Sequence, residues 1–126
     1  MNTSTDKIFI ITQAFYGNRT ATKINREEIN FFLRGILSPE FLPDGANTVD
    51  RKVVRVPHTE NLVIVYDQTQ EDERIASEHT KYVSCEIPEI GLKLHTRCFA
   101  CRIDENGELQ SLEASDGEKF IAYFTK

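Results

Sequence analysis

The chain lacks any apolar run approaching the ~20 residues of a membrane-spanning helix. Its opening, MNTSTDK, has none of the basic, apolar and small-residue zones of a secretory leader. These absences imply a cytoplasmic address and no membrane partner. Cysteine is scarce, at three residues. Three cannot all pair within one chain, and two share one predicted strand, a pattern that suits a reducing compartment. Positive charge is in deficit, with 15 Lys and Arg against 20 Asp and Glu for a net charge of −5. That balance argues against a nucleic-acid partner, which usually requires a basic surface. Low-complexity tracts and internal repeats are missing. So are Walker and dinucleotide glycine patterns, a serine elbow, paired zinc histidines and kinase signatures. No cofactor is implied, and the absence of a compact catalytic signature leans the reading away from an enzyme.

The chain has 126 residues, of which 40% are hydrophobic and 28% charged. One globular domain over 1–126 is expected, able to bury roughly two thirds of its unfolded surface without disulfides. Charge is segregated along it: residues 67–90 hold seven acids against two bases, 104–126 six against two, and 91–103 three bases and no acid.

Hydrophobic periodicity gives a coarse map. KIFIITQ carries apolar residues on both alternating faces, as a strand covered on both sides would. GNRTATK reads as a polar turn. Ile29, Phe32, Leu33, Ile36 and Leu37 recur at the spacing of one buried stripe, predicting an amphipathic helix over about 25–37 with Asn25 as cap and Glu28 reaching back. RKVVRVP and NLVIVYD, joined by HTE, predict an antiparallel hairpin whose second strand is interior. Residues 69–79 are ambiguous between a short surface helix and a loop, and Glu71, Asp72 and Glu73 read as its solvated start rather than a cation site. KYVSCEIP, the long run GLKLHTRCFACRI, the return ELQSLEA after a DENG turn, and EKFIAYFT complete the predicted strands. The expected fold is α+β: a mostly antiparallel, curved sheet of about seven strands with the helix on one face. A barrel partly closed around that helix is the alternative.

Chemistry concentrates in LHTRCFACRID. His95, Cys98, Cys101 and Asp104 are spaced by three, and this stretch of about ten residues resembles the middle of a LIM zinc domain. The resemblance implies two tetrahedral zincs, yet only Cys85 lies upstream and no cysteine follows Cys101, so the eight ligands are not supplied. A single zinc would draw on His95, Cys98, Cys101 and either Cys85 or His79. Against it, a strand over 92–103 would turn Cys98 and Cys101 to opposite faces. If the protein were an enzyme, His79, His95 and Cys98 would be the capable residues, since a nucleophilic thiol needs a lowered pKa and a base in reach.

The same alternation aligns Lys93, His95 and Arg97 on one strand face, and Arg51 and Arg55 on one face of the hairpin. Together they form a candidate basic binding surface, while cross-strand pairing with Glu86, Glu108 or Glu113 is the plain alternative. The acidic segments 67–90 and 104–118 would steer a basic partner. The functional expectation is a non-catalytic protein-binding or regulatory module, such as an adaptor, inhibitor or immunity-type protein, that recognises a protein partner through a charged surface. The alternatives are a small enzyme or ligand-binding domain with a pocket between helix and sheet, and a protein holding one zinc.

Overall fold

A computed structural model describes residues 7–13, 19–34 and 49–120. Five strands, β1 (Lys7–Gln13), β2 (Arg19–Asn25), β3 (Arg51–Arg55), β4 (Leu62–Asp67) and β7 (Cys98–Ile103), form one antiparallel sheet in the order β2-β1-β7-β4-β3, with β8 (Leu109–Gln110) pairing to β7. β5 (Cys85–Ile87) and β6 (Leu92–Leu94) make a separate two-stranded ribbon. Three helices are described, α1 (Ile29–Arg34), α2 (Gln68–Ala76) and α3 (Gly117–Phe120). The architecture is α+β with a mostly antiparallel sheet, and it is not closed into a barrel: β2 and β3 stand at opposite ends of the strand order and do not pair.

The two-sided apolar pattern of β1 and β4 has a direct counterpart in two cores, one on each face of the sheet. Ile8 and Ile10 join Val63, Val65, Phe99 and Cys101 beneath α1, where Ile29 and Leu33 are buried. On the opposite face Ile64, Tyr66, Cys98 and Ala100 pack with Cys85, Ile87 and Leu94 of the ribbon and with Leu112. Every residue of β4 is buried, and each large aliphatic side chain so covered contributes about 1.5–3 kcal/mol relative to exposure. The hairpin register pairs Val53 with Val65 and Arg55 with Val63, as the short link requires.

Four expectations are corrected. Arg19–Lys23, within the stretch expected as a polar turn, form β2 together with Ile24 and Asn25, along the whole of β1. As the edge of the sheet it tolerates Thr, Ala and Lys, so it carries no apolar alternation to betray it. The cap of the first helix differs from the expected box: Asn25 ends β2 and stands at the N-cap position, but the first turn, Arg26–Glu28, is 3₁₀ before α1 continues it, and Asn25 Nδ2 donates to Glu28 Oε1 (3.1 Å) while no side-chain cap bonds the backbone of that turn. The stripe positions Ile36 and Leu37 lie outside the described residues. The strand expected over 92–103 is broken at His95–Arg97, so that its halves belong to different sheets. EKFIAYFT, expected as a strand, instead opens in a helix at Gly117–Phe120, preceded by a 3₁₀ turn at Ala114–Asp116 whose Glu113 and Asp116 cap one another; the rest of that stretch lies outside the described residues.

Candidate functional site

The interior chemistry starts with α2. Asp67 caps it, one oxygen accepting from Thr69 N and Asp50 N, both at 3.0 Å. Gln70, one turn on, donates its amide to the Asp67 carboxylate (3.1 Å) and to the Leu33 carbonyl of α1 (2.7 Å). Glu71 completes this face at the i, i+4 spacing from Asp67. All three side chains are buried, so α2 buries a polar face, and the solvated start expected at Glu71 is not what the fold uses. Glu71 Oε1 accepts from the backbone N–H groups of His95 (2.8 Å) and Thr96 (3.0 Å), and Oε2 meets His95 Nδ1 at 2.6 Å. The carboxylate stands in for a strand partner where the chain leaves the ribbon. That substitution explains how backbone between two sheets stays buried with its donors satisfied. Ser84 secures the same break, its N–H donating to the Leu94 carbonyl (2.8 Å) and its hydroxyl to the Thr96 carbonyl.

This places the sequence-predicted chemical residues. His95 is 8% exposed and its ring is engaged by Glu71. His79 is exposed just beyond α2, its N–H donating to the Arg74 carbonyl (2.7 Å). Cys85 and Cys98 meet in one core, whereas Cys101 points into the other, as alternation along β7 requires. All three thiols are free and fully buried. The Cys98 thiol is pushed well up by its hydrogen bond with the Cys85 thiol and by burial, and burial pushes Cys101 up to about 12. A nucleophilic or metal-binding cysteine needs the thiolate, and these surroundings oppose it. Among the described residues no three His, Cys, Asp or Glu side chains converge as a metal site. The separation of Cys98 from Cys101 removes the paired ligands on which the LIM resemblance depends.

The proposed basic residues fall in three settings. Lys93 is exposed on β6 opposite Glu86, His95 is buried, and Arg97 is half-buried. The break at 95–97 therefore divides the stripe expected along one strand face. Arg51 and Arg55 are exposed on β3, which pairs only with β4 among the described strands. Gln68 N donates to Asp50 O and Val56 N to Leu62 O, both at 2.9 Å. In an antiparallel ladder bonded pairs alternate, so even-numbered residues of β3 face β4, while Val53 and Arg55 turn their N–H and C=O groups toward the outer edge. Val53 is 40% exposed.

At the β2 side of the sheet an open cleft of about 420 Å³ lies between α1 and the strand ends, lined by Lys7, Lys23, Ile24, Asn25, Glu28, Phe32 and Arg97. The Arg97 guanidinium carbon sits 5.3 Å from the centroid of the Phe32 ring, which meets Phe99 edge to face at 6.0 Å. No sequence periodicity marks this cleft. Lys7 and Arg97 are ninety positions apart in the chain, and α1 contributes Phe32 to the same lining.

No protein-family model, curated protein or solved structure matches the chain.

Proposed function

We propose that the chain is a non-catalytic protein-binding module whose charged surface takes an extended, acidic segment of a partner along the edge of β3. The observation that carries this reading is the outer edge of β3, where Val53 and Arg55 present ladder positions that no other described strand pairs, beside the cationic side chains of Lys52 and Arg55. A partner strand would gain main-chain hydrogen bonds there, with the alternate side chains supplying selectivity. Cationic side chains on an edge also discourage pairing with a second basic edge. An acidic segment is the partner they leave admissible. The exposed acids Asp72, Glu73, Glu78, Glu86 and Glu89 lie on α2, just beyond it, on the ribbon and in the turn that follows β5, and a field of both signs orients encounter more than it adds affinity. The cysteine version of an enzyme has less support, because all three thiols are buried and those of Cys98 and Cys101 are pushed up in pKa.

Selection of peptides from a displayed random library tests the reading. Acidic, β-branched-rich binders that dissociate as salt rises are expected, and Val53→Pro and Arg55→Glu should each abolish binding. The Val53 N–H does not bond β4, so the proline removes an outward donor without breaking the hairpin ladder. Binders insensitive to salt and to both substitutions would overturn the proposal.

A further inference from the structure

The register of β3 dictates what a docked strand must carry. Val53 and Arg55 stand across from Val65 and Val63, whose side chains enter the core beneath α1. Lys52 and Val54 stand across from Tyr66 and Ile64 of the opposite core, against which Val54 also packs. A strand added outside β3 continues both faces of the sheet, so it meets Arg55 and Val53 on one face and Val54 and Lys52 on the other. Val53 is 40% exposed and the Lys52 side chain 48%. Arg55 is exposed as well; one guanidinium nitrogen donates to the Glu60 carbonyl, and with five donors in the fork others remain for a carboxylate.

Charge disfavours the two occupants that this chain itself could supply. Pairing two β3 edges about Val53 would set Arg51 against Arg55 of the second copy, and the β2 edge carries Arg19 and Lys23. Like charges directly opposite destabilise a ladder, so the fitting occupant is a different chain. Every ladder among the described strands is antiparallel, the pairing that is slightly more stable per residue. Resting on the edge-docking reading above, we infer that the partner segment runs antiparallel to β3 and carries, from its N-terminal end, an acid, two β-branched residues and a second acid, set opposite Arg55, Val54, Val53 and Lys52 in that order. The residue opposite Val53 exchanges both main-chain hydrogen bonds with it, and its side chain covers the exposed valine. The acid opposite Lys52 falls at a non-bonded pair, where side chains approach most closely. Arg51 lies across from Asp67 on β4, so the pattern makes no demand there. Charge also fixes the register: a slip of two residues toward the start of β3 would bring the second acid against Asp50.

A capped hexapeptide, threonine-glutamate-valine-valine-aspartate-threonine, tests the inference by charge exchange, with binding to the full chain followed through amide chemical shifts. Saturable shifts at Val53 and Arg55 are expected. Replacing either peptide acid by lysine should weaken binding to the wild type about fivefold or more, the scale of one cross-strand charge pair. Arg55→Glu should reject the parent peptide and accept the one with lysine in place of glutamate, whereas Lys52→Glu should accept the one with lysine in place of aspartate. A variant that regains binding in this way is folded. The opposite matching would mean a parallel strand and overturns the inference, as does the absence of rescue by either peptide. Equal binding of the parent and both lysine peptides to the wild type overturns it too, independently of any variant. In these three outcomes edge docking still stands if Val53→Pro abolishes binding of the parent peptide. A parent peptide that fails to bind, or that binds Val53→Pro as tightly as the wild type, overturns the edge-docking reading along with the inference.

Discussion

Replacing Glu71 by Ala removes the acceptor on which the strand break depends. Glu71 is 3% exposed and serves two backbone donors and the His95 ring. The truncation leaves two buried N–H groups and a buried imidazole without their partner. Breaking a buried charge-bearing network from one side typically costs about 3–5 kcal/mol. With a urea slope of about 2 kcal/mol/M for a domain of this size, a loss of about 4 kcal/mol moves the unfolding midpoint down by about 2 M. Glu71→Gln separates the contributions. Its amide oxygen can take both backbone donors at the Oε1 position, while its NH₂ group replaces Oε2 and donates to Nδ1 once the ring proton sits on Nε2. The loss should then be limited to about 1–2 kcal/mol, the charge-assisted part of one hydrogen bond. Glu73→Ala, at an exposed site two residues on, should stay within about 0.5 kcal/mol. Urea unfolding followed by circular dichroism gives all three values. A Glu71→Ala loss below about 1 kcal/mol, or equal losses for Ala and Gln, would refute the view that this carboxylate holds the break together.

Two further perturbations test the packing. Arg102 Nε donates to Asp116 Oδ2 at 2.7 Å and its Nη2 to Oδ1 at 3.1 Å, which holds the Asp116 carboxyl below the usual carboxylate range and raises Arg102. Because the folded pKa of Asp116 is depressed, its stabilisation is fully present above the unfolded value of about 3.9 and is lost as pH falls through the folded value. Asp116→Asn should therefore cost roughly 1–3 kcal/mol at neutral pH, with the gap from wild type closing in unfolding curves taken below about pH 4; a gap independent of pH contradicts the assignment. Cys85, Cys98 and Cys101 are fully buried, with the thiols of Cys98 and Cys101 held protonated, so maleimide labelling at neutral pH should be slow for all three and should accelerate together in urea. A fast burst at a single cysteine would refute that picture and restore a reactive-thiol reading.

What local pattern determined follows from periods of two and 3.6 residues. Apolar residues on both faces of β1 and throughout β4 required strands covered on both sides, and two cores answer that requirement. The β3–β4 hairpin and the turn at Gly107, whose φ is 83°, were legible because a short polar link and a glycine act locally. The scattering of Cys98 and Cys101 over opposite faces was legible for the same reason.

Tertiary structure decided the remainder. β2 is polar and becomes a strand because β1 offers it a ladder. Glu71 is buried, against every expectation for an acid at the start of a short helix, because its partners lie 24 and 25 residues further along the chain. The break at His95–Arg97 carries no glycine or proline, and it exists because a side chain from another element replaces the missing ladder bonds. It also removes Arg97 from a continuous strand face and leaves it beside Phe32, facing the cleft. Periodicity reports which face a residue takes within its own element, whereas a buried polar group is stable only when a distant partner satisfies it, and that partner is chosen by how the elements pack.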